Sequence, residues 1–448
     1  MRRAEQLVLG GAGVAAAATL VTGLAIEASG EVLGTATPPF IAAFEPAVHP
    51  AVVLAVAGLV AAVAGGPRLL RVPRHPAGFA AAAFVLALGL ALAVNAARHG
   101  TGDWSAIFDT GPGGSFEAKN EYLPGLPALS YGAGFFLDRF AELVPALPVN
   151  VAGHPPGLII LLDATGVRSP GALAALCIGA AAAVAPLTYA LARTLAPPEA
   201  VPVLTATGEE EVLAPAETRA RTAALLASLS PALLLYGTTS ADAIYAAAAV
   251  GAAALLVARR PAVRAAGCVV LAVATLGSWA LLSVGAWGAI VTLRREGLRP
   301  AIVLAAGCAV AVLALNGALA AAYGYDPIGT LRATEAVYRN SLAEVRPYAF
   351  WVIGSPVAWG VTLGLPIVGA GLVALVRGST AALAIFAVVL IAAVAGFTKA
   401  ETERIWLPFV PLACVAAAQV VPSGRLRLVL AALAVQALVT QLLFSTVW

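Results

Sequence analysis

Charged side chains are scarce in this sequence. Lys, Arg, Asp and Glu make up only 11% of the 448 residues, roughly half of their share in a typical soluble protein, whereas 61% of the residues are hydrophobic. A soluble protein must expose a surface that water solvates, and no single soluble core can enclose this much apolar surface. The composition therefore excludes a soluble domain and indicates a polytopic protein of the lipid bilayer.

Cysteine and lysine are also rare. The four cysteines lie inside apolar segments and no pair has the spacing of metal ligands, so neither a disulfide framework nor a zinc site is predicted. The net charge of +3 is small and the basic residues are scattered, which gives no reason to expect a nucleic acid as partner. No metal and no cofactor are expected.

Long apolar runs, in contrast, are abundant. Many approach the roughly 20 residues that a membrane helix needs, and their richness in Ala, Leu, Val and Gly indicates helices; clear examples are Leu7–Ile26, Gly78–Ala97, Ala301–Ala322 and Leu426–Phe444. The fold class predicted is an all-α polytopic membrane protein with about 13 transmembrane helices. The first run is interpreted as a membrane helix rather than a signal peptide, because no clear cleavage site precedes a soluble domain.

Short loops that carry arginine orient the chain, because they favour the cytoplasmic side. The rule places the N-terminus and loops 68–74, 259–264, 294–299 and 425–427 in the cytoplasm, together with an acidic, proline-rich loop at 195–218. The predicted parts are N-terminal transmembrane helices (1–97), an extracytoplasmic loop with the candidate motif (98–157), a transmembrane core (158–323), a second outer loop (324–350) and C-terminal transmembrane helices (351–448) with a charged outer turn at 398–405. Pro155–Asp163 is too short to span comfortably and is expected to be re-entrant or interfacial.

The outer loops carry the residues suited to chemistry. Both lysines fall there, in the runs Ser115–Tyr122 and Lys399–Arg404, and the loop at 324–350 adds further acids and arginines. Between them, Leu123–Leu143 is partly amphipathic, which is typical of a segment along the membrane surface. His154 follows, held before Pro155 and Pro156. The carboxylates could serve as bases and the cations could bind an anionic ligand, although solvated loops with internal ion pairs would also contain such charges.

Glu117–Tyr122, the amphipathic stretch and His154-Pro155-Pro156-Gly157-Leu158 together resemble the first outer loop of the GT-C glycosyltransferases. The closest resemblance is to the protein O-mannosyltransferase and aminoarabinose-transferase branch. A Ser-Pro helix end at Ser230 and Pro231, followed by Asp242, is similar to a second feature of that family, and Lys399–Trp406 is similar to its charged turn near the end of the chain. This sequence departs from the family in having glutamates where an aspartate is usual, Gly157 where leucine is usual, and two additional helices before the loop.

The resemblance implies a membrane glycosyltransferase whose active site lies on the extracytoplasmic side of the cell membrane. Its donor would be a polyprenyl-phosphate sugar, with mannose or arabinose expected, and its acceptor a hydroxyl of a glycan, lipid or protein. An inverting transfer is expected, and a monophosphate donor does not require a metal.

The resemblance also implies roles for particular residues. Glu117 is the first choice as the base that takes the acceptor proton, Glu121 is the second, and Asp242 would orient the acceptor or a cation. The donor phosphate would be bound first by Lys399 and Arg404, and then by His154 and Arg346. Contacts with the acceptor or the loop are expected from Asn120, Tyr122 and Glu403.

The main alternative is a polytopic transporter or lipid flippase. Such proteins usually place polar residues at the middle of the membrane, often in broken helices, whereas the charges here collect at one face. A structural scaffold would account for the hydrophobicity but would not explain the long first loop and its acidic residues.

Overall fold

The computed structural model describes residues 3–70, 75–102, 104–112, 114–196, 215–396 and 398–446. Most of the loop predicted at 195–218, and most of the arginine-bearing loop at 68–74, lie outside the described residues. Three helices open the chain, namely α1 (Arg3–Ala28), α2 (Val52–Leu69) and α3 (Pro76–His99). Between α1 and α2, strand β1 (Ala43–Phe44) pairs antiparallel with β2 (Phe444–Ser445), which ties the segment after α1 to the residues after the last helix.

The segment predicted as the first outer loop, residues 98–157, folds into short helical pieces rather than an extended linker. These are 3₁₀ turns at Ala106–Phe108, Glu117–Asn120, Leu123–Leu129 and Val144–Ala146, and helices α4 (Ala133–Leu143), α5 (Val149–Ala152) and α6 (Gly157–Thr165). Helix α4 buries Phe136, Leu137 and Phe140 on one side. Helix α6 has nine residues, which is well short of a span.

The central part of the chain supplies seven helices. They are α7 (Pro170–Leu195), α8 (Pro215–Leu229), α9 (Pro231–Leu235), α10 (Asp242–Leu256), α11 (Pro261–Thr275), α12 (Leu282–Glu296) and α13 (Leu298–Tyr323), with a 3₁₀ turn at Trp279–Leu281. Proline begins several of them, because its fixed φ suits the first helical position and its missing N–H is not needed there. Helices α8 and α9 are almost wholly buried and form the centre of the bundle.

Eight helices complete the fold. They are α14 (Pro327–Arg339), α15 (Leu342–Val345), α16 (Tyr348–Leu363), α17 (Leu365–Val376), α18 (Thr380–Ala395), α19 (Thr402–Ile405), α20 (Val410–Ala417) and α21 (Leu426–Leu443), with 3₁₀ turns at Leu407–Phe409 and Ser423–Arg425. Helix α14, in the second outer loop, packs on α4 of the first. The Thr334 hydroxyl donates to the Ala152 carbonyl at 2.9 Å, so the two outer loops form one layer.

Six helices of the described residues are long and apolar enough to cross a bilayer, or seven if α16 and α17, bent by 114° at Gly364, count as one span. Shorter apolar helices, such as α10, α11 and α18, fall below that length. The prediction of an all-α membrane protein is confirmed. The prediction of about 13 crossings counts these shorter helices as spans and stays a prediction.

Burial distinguishes the helices that face lipid from those in the centre. Only 11% of the apolar window of α1 and of α13 is buried, against 50% for α7. Large apolar side chains such as Val14, Val21, Val310 and Leu313 are therefore exposed on the outer helices. A helix that is apolar all round and yet exposed is expected where the surrounding solvent is lipid.

Candidate active site

A buried ion pair lies where the outer turn meets the start of α10. Arg404, on the short helix α19, donates to Asp242 Oδ2 at 3.0 Å, and their side chains are 6% and 4% exposed. The Ser240 hydroxyl donates to the same carboxylate at 2.7 Å, and the Asp242 backbone N–H donates to Ser240 Oγ at 3.0 Å. Burying two charges is costly unless geometry and additional hydrogen bonds offset the loss of water, and this pair has both.

Glu121 is the second carboxylate of this cluster. It directly follows the 3₁₀ turn Glu117–Asn120 and is completely buried. Burial raises its pKa from 4.5 to about 7, with nearby Arg404 and Asn150 opposing the rise and Asp242 adding to it. Glu121 is therefore close enough to the ion pair to feel both of its charges.

The carboxylate of Glu121 and the amide nitrogen of Asn150 lie close together in this cluster. The Asn150 side chain lowers the pKa of Glu121 through a hydrogen bond, although neither group has a partner at full hydrogen-bond geometry among the residues that the structure describes. A carboxylate that accepts and an amide that donates match the hydrogen-bonding capacity of a hydroxyl group.

Aromatic side chains form one wall of the cluster. The hydroxyls of Tyr122 and Tyr245 are 2.5 Å apart, and the ring of His154 stacks on Tyr245 with centroids 5.3 Å apart. His154 Nδ1 lies 2.7 Å from the Asn150 carbonyl. Burial lowers the pKa of His154, against opposing effects of Asp242 and the Asn150 carbonyl. The imidazole is therefore neutral at pH 7, and offers hydrogen bonds and a stacking surface rather than a positive charge.

The outer turn holds a second group of charges beside Arg404. Glu401 accepts from Arg404 at 3.1 Å and from Arg346 at 3.3 Å, so one carboxylate bridges two guanidinium groups. Arg346 also donates to the Lys399 carbonyl at 2.6 Å and to the Gly34 carbonyl at 3.0 Å. Lys399 Nζ donates to the carbonyls of Ala343 and Arg346, both at 3.0 Å. The second outer loop is thereby tied to the turn.

Glu403 connects the same turn to the segment between α1 and α2. One of its oxygens accepts from the Ile41 N–H at 2.9 Å. The side chain is completely buried, and burial raises its pKa from 4.5 to about 7, against the opposing hydrogen bonds of its own backbone and of Ile41. One oxygen therefore ties the turn to Ile41, whereas the other has no hydrogen-bond partner among the described residues.

The structure brings together five of the residues singled out from the sequence, namely Glu121, Tyr122, His154, Asp242 and Arg404. Arg346 lies next to this group, linked to Arg404 through Glu401, and Lys399 is hydrogen-bonded to Arg346. Glu117 and Asn120 remain on the 3₁₀ turn at partly exposed positions, where the Asn120 side chain donates to the Phe116 carbonyl at 3.4 Å.

Sequence reasoning missed four members of the site. Asn150 and Tyr245 are in the cluster because they lie one helical turn from His154 and Asp242 respectively, a spacing that places side chains on a common face. Ser240 lies two residues before Asp242, and Glu401 lies within the run Lys399–Arg404, but neither was chosen. Spacing alone could have suggested the first two.

An apolar groove lies outside the cluster, and none of its lining residues belongs to the cluster. It has a volume of about 680 Å³ and runs between α2, α3 and α7, with Leu54, Leu92, Trp104 and Ile178 among its lining residues. Helix α7 also packs extensively against α10, and so separates the groove from Asp242. Among the described residues, no group of three or more His, Cys, Asp and Glu side chains could hold a metal ion.

A comparison of the chain with protein-family models, curated proteins and solved structures finds no match.

Proposed function

We propose that this protein is a membrane glycosyltransferase that moves a sugar from a polyprenyl-phosphate donor to an acceptor hydroxyl on the outer face of the membrane. The observation that carries the proposal is Glu121, a completely buried carboxyl whose pKa is raised to about 7, beside Asn150 and the Arg404–Asp242 pair. The proposal includes a GT-C-like architecture with about 13 crossings, in which the N-terminus is cytoplasmic.

Glu121 is the base in this mechanism. A general base is most effective when its pKa lies near the working pH, and a pKa of about 7 meets that condition. Glu117 was the first choice from sequence, but it is partly exposed, whereas Glu121 adjoins the charges that a transfer reaction would use. Glu121 takes the proton of the acceptor hydroxyl as the new bond from oxygen to the anomeric carbon forms. The bond from that carbon to the phosphate oxygen breaks, its electron pair leaves with polyprenyl phosphate, and the anomeric configuration inverts.

Arg404 and Arg346 stabilise the departing phosphate. Negative charge on the leaving group grows in the transition state, and fixed cations in a buried site are most effective at stabilising it. Arginine suits this role because its planar fork matches two phosphate oxygens. Lys399 uses its ammonium group to hold the second outer loop and contributes a point charge nearby. Neutral His154, with Tyr122, contacts the acceptor or the sugar.

Mannose and arabinose are the proposed sugars. The acceptor is a hydroxyl of a glycan, a lipid or a protein.

The proposal is tested with purified protein in detergent, radiolabelled polyprenyl-phosphate mannose and arabinose, and a panel of hydroxyl acceptors. Wild type is expected to release polyprenyl monophosphate and form a glycoside, and Glu121→Gln is expected to lose this activity. Glu117→Gln is the matched control on the same turn and is expected to retain it. If Glu117→Gln loses transfer activity and Glu121→Gln retains it, the base is Glu117. Failure of wild type to turn over either donor, together with movement of an intact lipid or solute across proteoliposomes, would favour the transporter.

A further inference from the structure

The backbone at Ala400 and Glu401 is unusual. Their φ angles are +65° and +58°, and they are the residues other than glycine with positive φ among those the structure describes. Left-handed conformation is unfavourable for residues with a Cβ atom, and such strain collects at ligand clamps and switch regions. Two such residues in succession require contacts that hold them there. Ala400 is buried, the Glu401 carbonyl accepts from the backbone N–H groups of Arg404 and Ile405 at 3.1 Å and 3.0 Å, and the Glu401 carboxylate contacts two arginines.

Glu401 covers the two arginines. Its side chain is 21% exposed, whereas those of Arg346 and Arg404 are 5% and 6% exposed. One oxygen contacts each guanidinium, at 3.3 Å for Arg346 and 3.1 Å for Arg404. Glu401 is thus the most accessible member of the group, and it lies where an anion entering from outside would first meet these cations.

Both guanidinium groups are held by other partners as well. Arg404 contacts Asp242, and Arg346 contacts the carbonyls of Lys399 and Gly34. If the Glu401 carboxylate withdraws, these contacts keep the two cations in place. In addition, Nε of Arg346 has no hydrogen-bond partner among the described residues although it is buried, so a donor remains for an incoming anion.

We infer that the Glu401 carboxylate is an internal competitor for the anionic ligand of this site. A carboxylate and a phosphate present similar pairs of oxygens to a guanidinium, so Glu401 occupies the position of a phosphate monoester and must withdraw before one binds. This inference rests on the proposed function and extends it, because it makes Glu401 the residue that sets the affinity for the donor phosphate.

The effect on affinity follows from the fraction of protein whose site is open. When the open form is a minor fraction, the apparent Kd exceeds the intrinsic Kd by the inverse of that fraction. An open fraction of about one tenth therefore weakens binding about tenfold. Glu401→Gln removes the competing charge while preserving the shape of the side chain, so it is expected to bind phosphate about tenfold more tightly than wild type.

The test measures the binding of inorganic phosphate and of farnesyl phosphate to the full-length protein in detergent by titration calorimetry. Glu344→Gln is the matched control, because Glu344 is an exposed acid of the neighbouring outer loop and its replacement changes the net charge equally. Tighter binding by Glu401→Gln, with Glu344→Gln unchanged, is the expected result. Equal or weaker binding by Glu401→Gln relative to this control would overturn the inference.

A second variant and a separate readout keep the outcomes distinct. Should Glu401→Gln not fold, Glu401→Asp retains the charge but shortens the reach. It is expected to bind phosphate more tightly than wild type, and an unchanged Kd would count against the inference. Phosphate binding does not depend on catalysis. Tighter binding without sugar transfer would leave this inference standing and refute the proposed transferase, whereas transfer without tighter binding would do the reverse.

Discussion

Replacing Glu121 by glutamine is predicted to stabilise the protein at alkaline pH. The pKa of Glu121 in the folded protein is raised from 4.5 to about 7 because the side chain is buried. The folded state therefore binds this proton more tightly than the unfolded state. The resulting stability is fully present below about pH 4.5 and is lost as pH rises through about 7. Glutamine is neutral at every pH and avoids this loss.

The magnitude follows from the pKa difference. The rise from 4.5 to about 7 corresponds to roughly 3 kcal/mol at about 1.36 kcal/mol per pH unit, of which about 2.5 kcal/mol develops between pH 5 and pH 8. With an unfolding entropy of about 2.1 cal/mol/K for each of the 448 residues, this change corresponds to about 3 °C in Tm.

The assay is thermal unfolding in detergent across pH 5 to pH 8, with the Tm of Glu121→Gln compared with that of wild type. The difference in Tm is expected to grow by about 3 °C in favour of the variant as pH rises. Glu117→Gln, a change of the same kind at a partly exposed position of the same turn, is the control and is expected to show a smaller change. A Tm difference between Glu121→Gln and wild type that is constant across this range would refute the reasoning.

Two further predictions concern the partners in the cluster. Arg404→Met leaves the Asp242 carboxylate buried without its cation, which is expected to lower the free energy of unfolding by about 3–5 kcal/mol. Chemical denaturation of the double variant Arg404→Met with Asp242→Asn should recover much of this loss. Losses that simply add in the double variant would contradict the pairing. Tyr122→Phe leaves the Tyr245 hydroxyl buried without its partner and is expected to destabilise by about 1–3 kcal/mol, whereas Tyr122→Phe with Tyr245→Phe should cost less than the sum of the single changes. A double variant whose destabilisation equals the sum of the two single destabilisations would show that the two hydroxyls do not interact.

The membrane class could be predicted from the sequence because it depends on composition and on runs of apolar residues. The number of crossings is harder to predict, because proline interrupts the apolar runs. Pro231 separates α8 from α9, and Pro261 follows α10, so that helices of 15 residues or fewer occur where the sequence suggests spans. Whether such short helices cross the bilayer depends on tertiary packing, which the periodicity of apolar residues in the sequence does not show.

Five residues of the candidate cluster were singled out from the sequence, whereas four neighbours, Asn150, Tyr245, Ser240 and Glu401, and the arrangement of the cluster were not predicted. Asp242 and Arg404 are separated by 162 positions in the chain and still form a buried pair, and the predicted topology placed both at the outer edge. The choice between Glu117 and Glu121 could not be made from sequence. The two residues are only four positions apart, and what distinguishes them is burial, which a sequence does not show. His154 was considered as a cation, but burial lowers its pKa, an effect that depends on neighbours distant in the chain.

The central claim is that Glu121 is the base of a sugar transfer, and the pH dependence of single-turnover transfer tests it most directly. With enzyme in excess over polyprenyl-phosphate sugar and with acceptor saturating, the wild-type rate is expected to rise with pH and level off above about 7, because only ionised Glu121 accepts a proton. Glu121→Gln should be slower by a factor of about 10²–10⁴ and should lose this dependence, while Glu117→Gln should keep it. A Glu121→Gln variant that transfers sugar at the wild-type rate with an unchanged pH profile would contradict the account.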